Sequence, residues 1–218
     1  MVRLRSATVA FGMATFLAIG ATAGAQITPA GTFGSLPQAT FGGSGIPNDA
    51  VMHGGTAGAT MGLTATPRYV GPTVTNDGAG NYFATPGAAT GNPALANWNF
   101  DFYMDAGNSG SVFQLFIDRD PGSGTTFVSF PFPNPAYTSQ PAQDSWNEGF
   151  SFLGSGFDPN ANGIYSFKIV QYDQTGLQLD QVAMNVNVGT TTPEPSSLAL
   201  LGTGFVGLGG LIKRRRRA

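Results

Sequence analysis

Hydrophobic and polar residues alternate most regularly in WNFDFYMD. There Trp98, Phe100, Phe102 and Met104 share one parity, and Asn99, Asp101, Tyr103 and Asp105 the other. Successive side chains of a strand point to opposite faces, so the segment predicts a strand buried on one face and open to water on the other. SVFQLFID, TTFVSF, GFSFL, IYSFKIVQY and LQLDQVAMNVNV extend the series of predicted strands. The last two flank Asp173-Gln174-Thr175-Gly176, a turn that predicts an antiparallel hairpin. In the final strand the apolar phase slips from Leu177 and Leu179 to Val182, Met184, Val186 and Val188, which predicts a bulge near Asp180-Gln181. Upstream, Asn76-Asp77-Gly78 predicts a hairpin turn between Val74 and Tyr82, and FGGSGIPNDAV reads as loop. Short strands separated by Gly, Pro and Asn turns, without a repeat of about 20–50 residues, predict an all-β domain. Its expected form is β-sandwich-like (jelly-roll or Ig-like), over residues 26–189.

Both ends depart from this pattern. At the front, Arg3 and Arg5 precede an apolar run from Ala7 to Ile19, and Ala23-Gly24-Ala25 follows. A basic region, an apolar core and a small-x-small site in that order predict a signal peptide over residues 1–25, cut before Gln26. At the back, Ser196 to Ile212 is a 17-residue stretch without a charge, followed by Lys213, Arg214, Arg215, Arg216 and Arg217. As a helix it would span roughly 26 Å at about 1.5 Å per residue, slightly less than a ~30 Å hydrocarbon core. Five glycines within it make it a poor helix in water, so the membrane is its expected host as a single transmembrane helix. The cationic cluster would stay in the cytoplasm, which leaves the body between the two ends on the far side of the membrane.

Composition and charge sharpen the body. It has 17 phenylalanines in the whole chain to bury, which argues against disorder, while 32 glycines and 15 prolines argue against long helices. Between Gln26 and Thr192, eleven acidic side chains face three basic ones, Arg68, Arg119 and Lys168, a net of −8. Such a body repels phosphates, so no nucleic acid is expected as a partner. The absence of cysteine excludes disulfides, thiolate metal sites and cysteine nucleophiles, and a single histidine excludes a multi-histidine metal centre.

The tail combines Pro193-Glu194-Pro195, then SSLALLG, a Gly-rich apolar segment and the terminal Arg cluster. In this order it resembles the PEP-CTERM sorting signal of Gram-negative bacteria, over residues 190–218. The resemblance implies processing at the tripeptide by the membrane transpeptidase exosortase, with the inner membrane holding the protein during sorting. It further implies a secreted protein of the cell surface or biofilm matrix, often linked to exopolysaccharide. Pro193 and Pro195 favour the extended backbone that a processing enzyme accepts, since each fixes its own φ and biases the residue before it away from helix.

Candidate chemistry in the body is sparse, and a non-enzymatic role is expected. Asp118 and Asp120, two apart in IDRDPGSG, are oxygen donors in a Gly-rich loop and form the candidate Ca²⁺ site, although the EF-hand spacing is absent. DPNANG and NDGAGN read as turns. His53 has no G-x-S-x-G partner and reads as a loop or capping residue. The alternative function is a secreted carbohydrate-binding module or polysaccharide-active enzyme. It would use carboxylates such as Glu148 together with Trp98, Tyr103, Trp146 and Tyr165, whose rings could stack on extracellular polysaccharide.

Overall fold

The computed structural model describes residues 24–122, 124–133 and 141–189, and these form an all-β body with one 3-10 turn at Ser151–Leu153. The strands in chain order are β1 (Gly24–Ala25), β2 (Thr32–Gly34), β3 (Val51–Gly54), β4 (Thr60–Pro67), β5 (Thr75–Asn76), β6 (Asn81–Ala84), β7 (Ala88–Ala89) and β8 (Asn92–Ala96). They continue as β9 (Trp98–Asp105), β10 (Val112–Asp118), β11 (Gly124–Thr125), β12 (Phe127–Phe132), β13 (Ala142–Trp146), β14 (Gly163–Tyr172) and β15 (Gln178–Val188). One sheet has the order β12-β10-β14-β15-β6-β5, the other β13-β9-β4-β3-β2. Pairing is antiparallel except where β15 runs parallel to β6.

The two sheets face each other across a single apolar core. Met61, Leu63, Phe100, Phe102 and Met104 enter it from one side, and Phe113, Leu115, Phe167, Ile169, Val182 and Met184 from the other. Ring packing ties the layers together: Phe100 stacks on Phe167 with centroids 4.5 Å apart, and Trp98 meets Tyr165 at 5.5 Å. Offset and edge-on geometries of this kind add to the gain from area burial alone.

The β14–β15 hairpin forms as its turn residues predict, with Gly176 N–H donating to the Asp173 carbonyl. Its bulge falls just ahead of the predicted position: Gln171 pairs with Asp180 and Tyr172 with Gln178, leaving Leu179 as the extra residue. The predicted turn after Val74 also forms, because the Asp77 carboxylate accepts from the N–H groups of Ala79 and Asn81 and closes the β5–β6 loop. GFSFL, by contrast, is not a strand. Ser151–Leu153 is a 3-10 turn, with Leu153 in the core and Phe152 outside.

The prediction for WNFDFYMD is half right. Trp98, Phe100, Phe102 and Met104 do face the core, but seven of the eight residues of β9 are buried, so the other face is largely covered as well. The outer face is covered by residues 35–50, which take in most of FGGSGIPNDAV (41–51), the stretch that reads as loop. Leu36, Ala39 and Phe41 from this segment cluster with Val51 and Tyr103, and Ile46 packs against them. Its course is held by polar anchors: Leu36 N–H donates to the Asn48 carbonyl, Asn48 Nδ2 donates to Pro37 and Ala39, and Gln143 Oε1 accepts from both Thr40 and Phe41 N–H at 2.8 Å. Gly62 in β4 is required by this lid, because a Cβ there would lie 2.6 Å from Leu36 Cδ2.

Both described ends of the chain lie at one pole. β1 pairs with β11, and Gln26 Nε2 donates to the carbonyls of Gly122 and Ile164. Gly163, next to Ile164, pairs with Val188, while Gly189 N–H donates to the Ala84 carbonyl. The expected signal-peptidase cut before Gln26 therefore falls directly after β1.

The double burial of β9 has a measurable consequence. Leu36→Ala should lower the free energy of unfolding by about 2–4 kcal/mol, as for a buried core leucine. Urea denaturation reads this directly, and a loss below about 0.5 kcal/mol, the range of surface substitutions, would show that the 35–50 segment does not pack as a second core.

Candidate functional site

Where the lid ends, the outer face opens into a cleft of about 610 Å³. One wall is the segment Phe41–Pro47, the other the end of β4 and the turn through Tyr69, and the floor is Asn99, Asp144 and Ser145. Strand alternation places the floor residues: Asn99 and Asp101 share the outward parity of β9, and Ser145 lies beside Asp101 in the β13–β9 register.

The floor is preorganised. Buried Asn147 donates through Nδ2 to the carbonyls of Ala96 and Trp98 and to Asn99 Oδ1 at 2.9 Å, while its Oδ1 accepts from Ala96 and Gly149 N–H. Asn99 in turn donates to Ser145 Oγ at 2.8 Å and accepts from Arg68 Nη1 at 3.3 Å. The Arg68 guanidinium sits 4.8 Å from the centroid of the Tyr69 ring and 5.5 Å from that of Phe150, within cation–π range of both.

Strain marks the walls. Phe41, Ala57 and Tyr69 are the non-glycine residues with positive φ among those described, and Phe41 (φ 49°) and Tyr69 (φ 51°) stand on opposite sides of the cleft. A bulky side chain in the left-handed region costs on the order of 1–3 kcal/mol, and such outliers cluster at ligand sites. Phe41 is fully buried, whereas Tyr69 is 87% exposed. The lid holds the first; the second stays in water.

Beneath the floor lies Asp101, with no solvent exposure. Thr66 Oγ donates to its Oδ2 at 2.7 Å, and its Oδ1 lacks a hydrogen-bond partner. Burial pushes its pKa up to about 7, against the lowering effect of Ser145 and Thr66 and with a further raising effect from Asp144.

A second buried carboxyl lies near the pole of the chain ends. Glu148 is fully buried, and Arg119 Nε approaches its Oε2 at 3.4 Å. Burial raises its pKa to about 8, although Arg119 draws it down. Arg119 also donates to the carbonyls of Leu153 and Glu148. The candidate Ca²⁺ residues serve their own turn: Asp118 Oδ1 accepts from Asp120 and Thr126 N–H, and Asp120 Oδ1 from Gly122 N–H. Among the described residues, no three His, Asp or Glu side chains group as a metal site would require.

Other residues singled out from the sequence are dispersed. His53 lies in β3, paired with Thr32 and Gly62, and not in a loop. Trp98, Tyr103, Trp146 and Tyr165 are all buried, so none offers a ring to solvent. Tyr69 and Phe150 are the aromatic side chains of the cleft that composition and periodicity miss, because their role depends on the strained turn and on the neighbouring strands. Pro193, Glu194, Pro195 and Lys213–Arg217 lie outside the described residues, as do Ala23 and the segment expected to cross the membrane. Among the described residues no helix is long and apolar enough to do so.

The chain thus joins an all-β body to a short delivery signal. Residues 191–217 match the family model of the PEP-CTERM protein-sorting motif, and the protein is therefore an exported one, sorted by exosortase toward the cell surface. No curated protein matches the chain in sequence.

The buried carboxyl makes stability depend on pH. Asp101 gives up its proton near 3.8 in the unfolded chain and near 7 in the folded one, so folding takes up a proton between these values. Stability should therefore fall as pH rises through this window, with on the order of 4 kcal/mol of the fall due to Asp101, and Glu148, raised to about 8, adds a fall of the same sign that extends to higher pH. Asp101→Asn should flatten the fall and leave the variant more stable than the parent at about pH 8. Parallel curves of melting temperature against pH for the two proteins would mean that Asp101 titrates at its ordinary value.

Proposed function

We propose that this is a non-enzymatic surface or extracellular-matrix protein of a Gram-negative cell, associated with exopolysaccharide and the biofilm. The observation that carries the proposal is the sorting motif, which begins immediately after the last strand of the body. In this reading residues 1–25 are removed on export and the β-sandwich body, of jelly-roll or Ig-like kind, folds outside the inner membrane. The segment from Ser196 to Ile212 spans that membrane as a helix, with Lys213–Arg217 retained in the cytoplasm. Exosortase then acts at Pro193-Glu194-Pro195 and the body is released to, or attached at, the cell surface.

Geometry supports this sequence of events. Gly189 is still hydrogen-bonded to the body, so at most about 14 Å of extended chain separates the folded domain from Pro193. The body and the processing enzyme must work side by side at the membrane. A short, Gly-rich apolar segment suits a tether that is needed only until processing.

Intact-mass analysis of protein from the native host should show a chain that starts at Gln26 and lacks the residues after about Pro195. Replacing Pro193, Glu194 and Pro195 together by alanine should leave the Arg tail in place and the protein in the membrane fraction. A mature native protein that keeps its Arg tail would overturn the proposal, as would normal processing of the triple variant.

A further inference from the structure

We propose that the outer-face cleft binds a neutral saccharide, gripped between the 41–47 wall and the exposed Tyr69 ring. This deepens the polysaccharide association above by naming its site and ligand class, while the sorting of the protein stands or falls on separate measurements.

Three independent observations place a ligand here. The volume of about 610 Å³ falls within the roughly 300–1,000 Å³ typical of small-ligand sites. Phe41 and Tyr69, which both line the cleft, hold left-handed backbone conformations, and Tyr69 does so inside the turn closed by Gly71 N–H on the Arg68 carbonyl, with 87% of its surface in water. Directly under the floor, Asp101 keeps one buried oxygen without a partner, beside the Thr66 and Ser145 side chains that line the cleft.

The polar groups define the class of ligand. A phosphate, a sulfate or a uronic-acid chain would meet the Asp144 carboxylate within a body whose net charge is −8. A bare cation would meet the Arg68 guanidinium, fixed on Asn99. A neutral ligand rich in hydroxyl groups escapes both penalties. Each hydroxyl both donates and accepts, so one ligand can accept from Arg68 and donate to the Asp144 carboxylate. The Tyr69 ring adds an amphipathic platform at the rim, with a flat apolar face for the C–H side of a pyranose and a hydroxyl for its edge. Little of this has to reorganise on binding, because Asn147 holds Asn99 and Asn99 holds both Arg68 and Ser145.

The test uses the full chain in a detergent without a sugar headgroup. Saturation-transfer NMR is run against neutral tetrasaccharides (cello-, laminari-, malto- and chito-series) and against an anionic guluronate tetramer, with Ca²⁺ alone titrated by calorimetry. At least one neutral tetrasaccharide should bind saturably at millimolar concentration or below. Tyr69→Ala and Asp144→Asn should each weaken that binding by about tenfold or more without lowering the melting temperature. Lys168→Ala, on the other sheet, should leave it unchanged. No saturable binding of any neutral member would overturn the proposal. So would binding that survives both cleft substitutions, or a cleft that prefers guluronate or takes up Ca²⁺ alone.

Discussion

The burial of β9 on both faces is the constraint on which the rest of the body depends. A strand that carries Trp98, Phe100, Phe102 and Met104 must lie against a second sheet, and the opposing strands β10, β14 and β15 provide it. Its other face carries Asn99, Asp101 and Tyr103, side chains that water would ordinarily solvate. The 35–50 segment removes the water from much of that face. Apolar contacts at Leu36, Phe41 and Val51 favour this arrangement, and the paired polar atoms of Asn48 and Gln143 keep the lid's backbone groups from being stranded.

The lid has an electrostatic consequence. Asp101 is left in a medium that disfavours its charged form, and hydrogen bonding by Ser145 and Thr66 offsets only part of that penalty. Glu148, three residues beyond Ser145, experiences the same penalty, but Arg119 offsets part of it. A fully buried acid without an ion-pair partner is uncommon, and this one lies beside Thr66 and Ser145, which line the cleft. The same segment that completes the fold thus builds the site. Leu36, Ala39 and Phe41 of the segment make a second core, and Phe41–Pro47 form one side of the cleft.

The placement of the chain ends connects the body to its delivery. Gln26 and Gly189 are both anchored at the pole formed by Gly122 and the start of β14. A body whose two ends leave from one pole can be held at a membrane through either of them in a similar orientation. Gly189, the last residue before the tail, is held by its N–H to the Ala84 carbonyl.

Much of this was legible in the sequence wherever the determining forces act over a few residues. Alternation identifies β9, β10, β14 and β15, since a strand's faces follow from its own backbone geometry. The Asp77 and Asp173 turns are local too, each closed by a carboxylate bonding to backbone N–H groups within four residues of it. The ordered tripeptide, apolar run and Arg cluster of the tail carry their meaning as a linear signal, which the family match over residues 191–217 supports. The strands β3, β4 and β13 lack strong alternation, and GFSFL has it without being a strand. In both cases neighbouring chain decides, because the Gly- and Thr-rich β4 gains its place from β9 and Phe152 loses its place to Leu153. The cleft could not be read locally at all. It needs Thr40 and Phe41 to reach Gln143, over a hundred residues away, and a strained turn to hold Tyr69 opposite them. Sequence alone therefore determined the strand faces, the turns and the delivery signal, because each is set by neighbours along the chain. Tertiary structure alone decided which polar face was covered, which acid was buried and where a ligand could enter, because each depends on what distant segments bring to one side of a sheet.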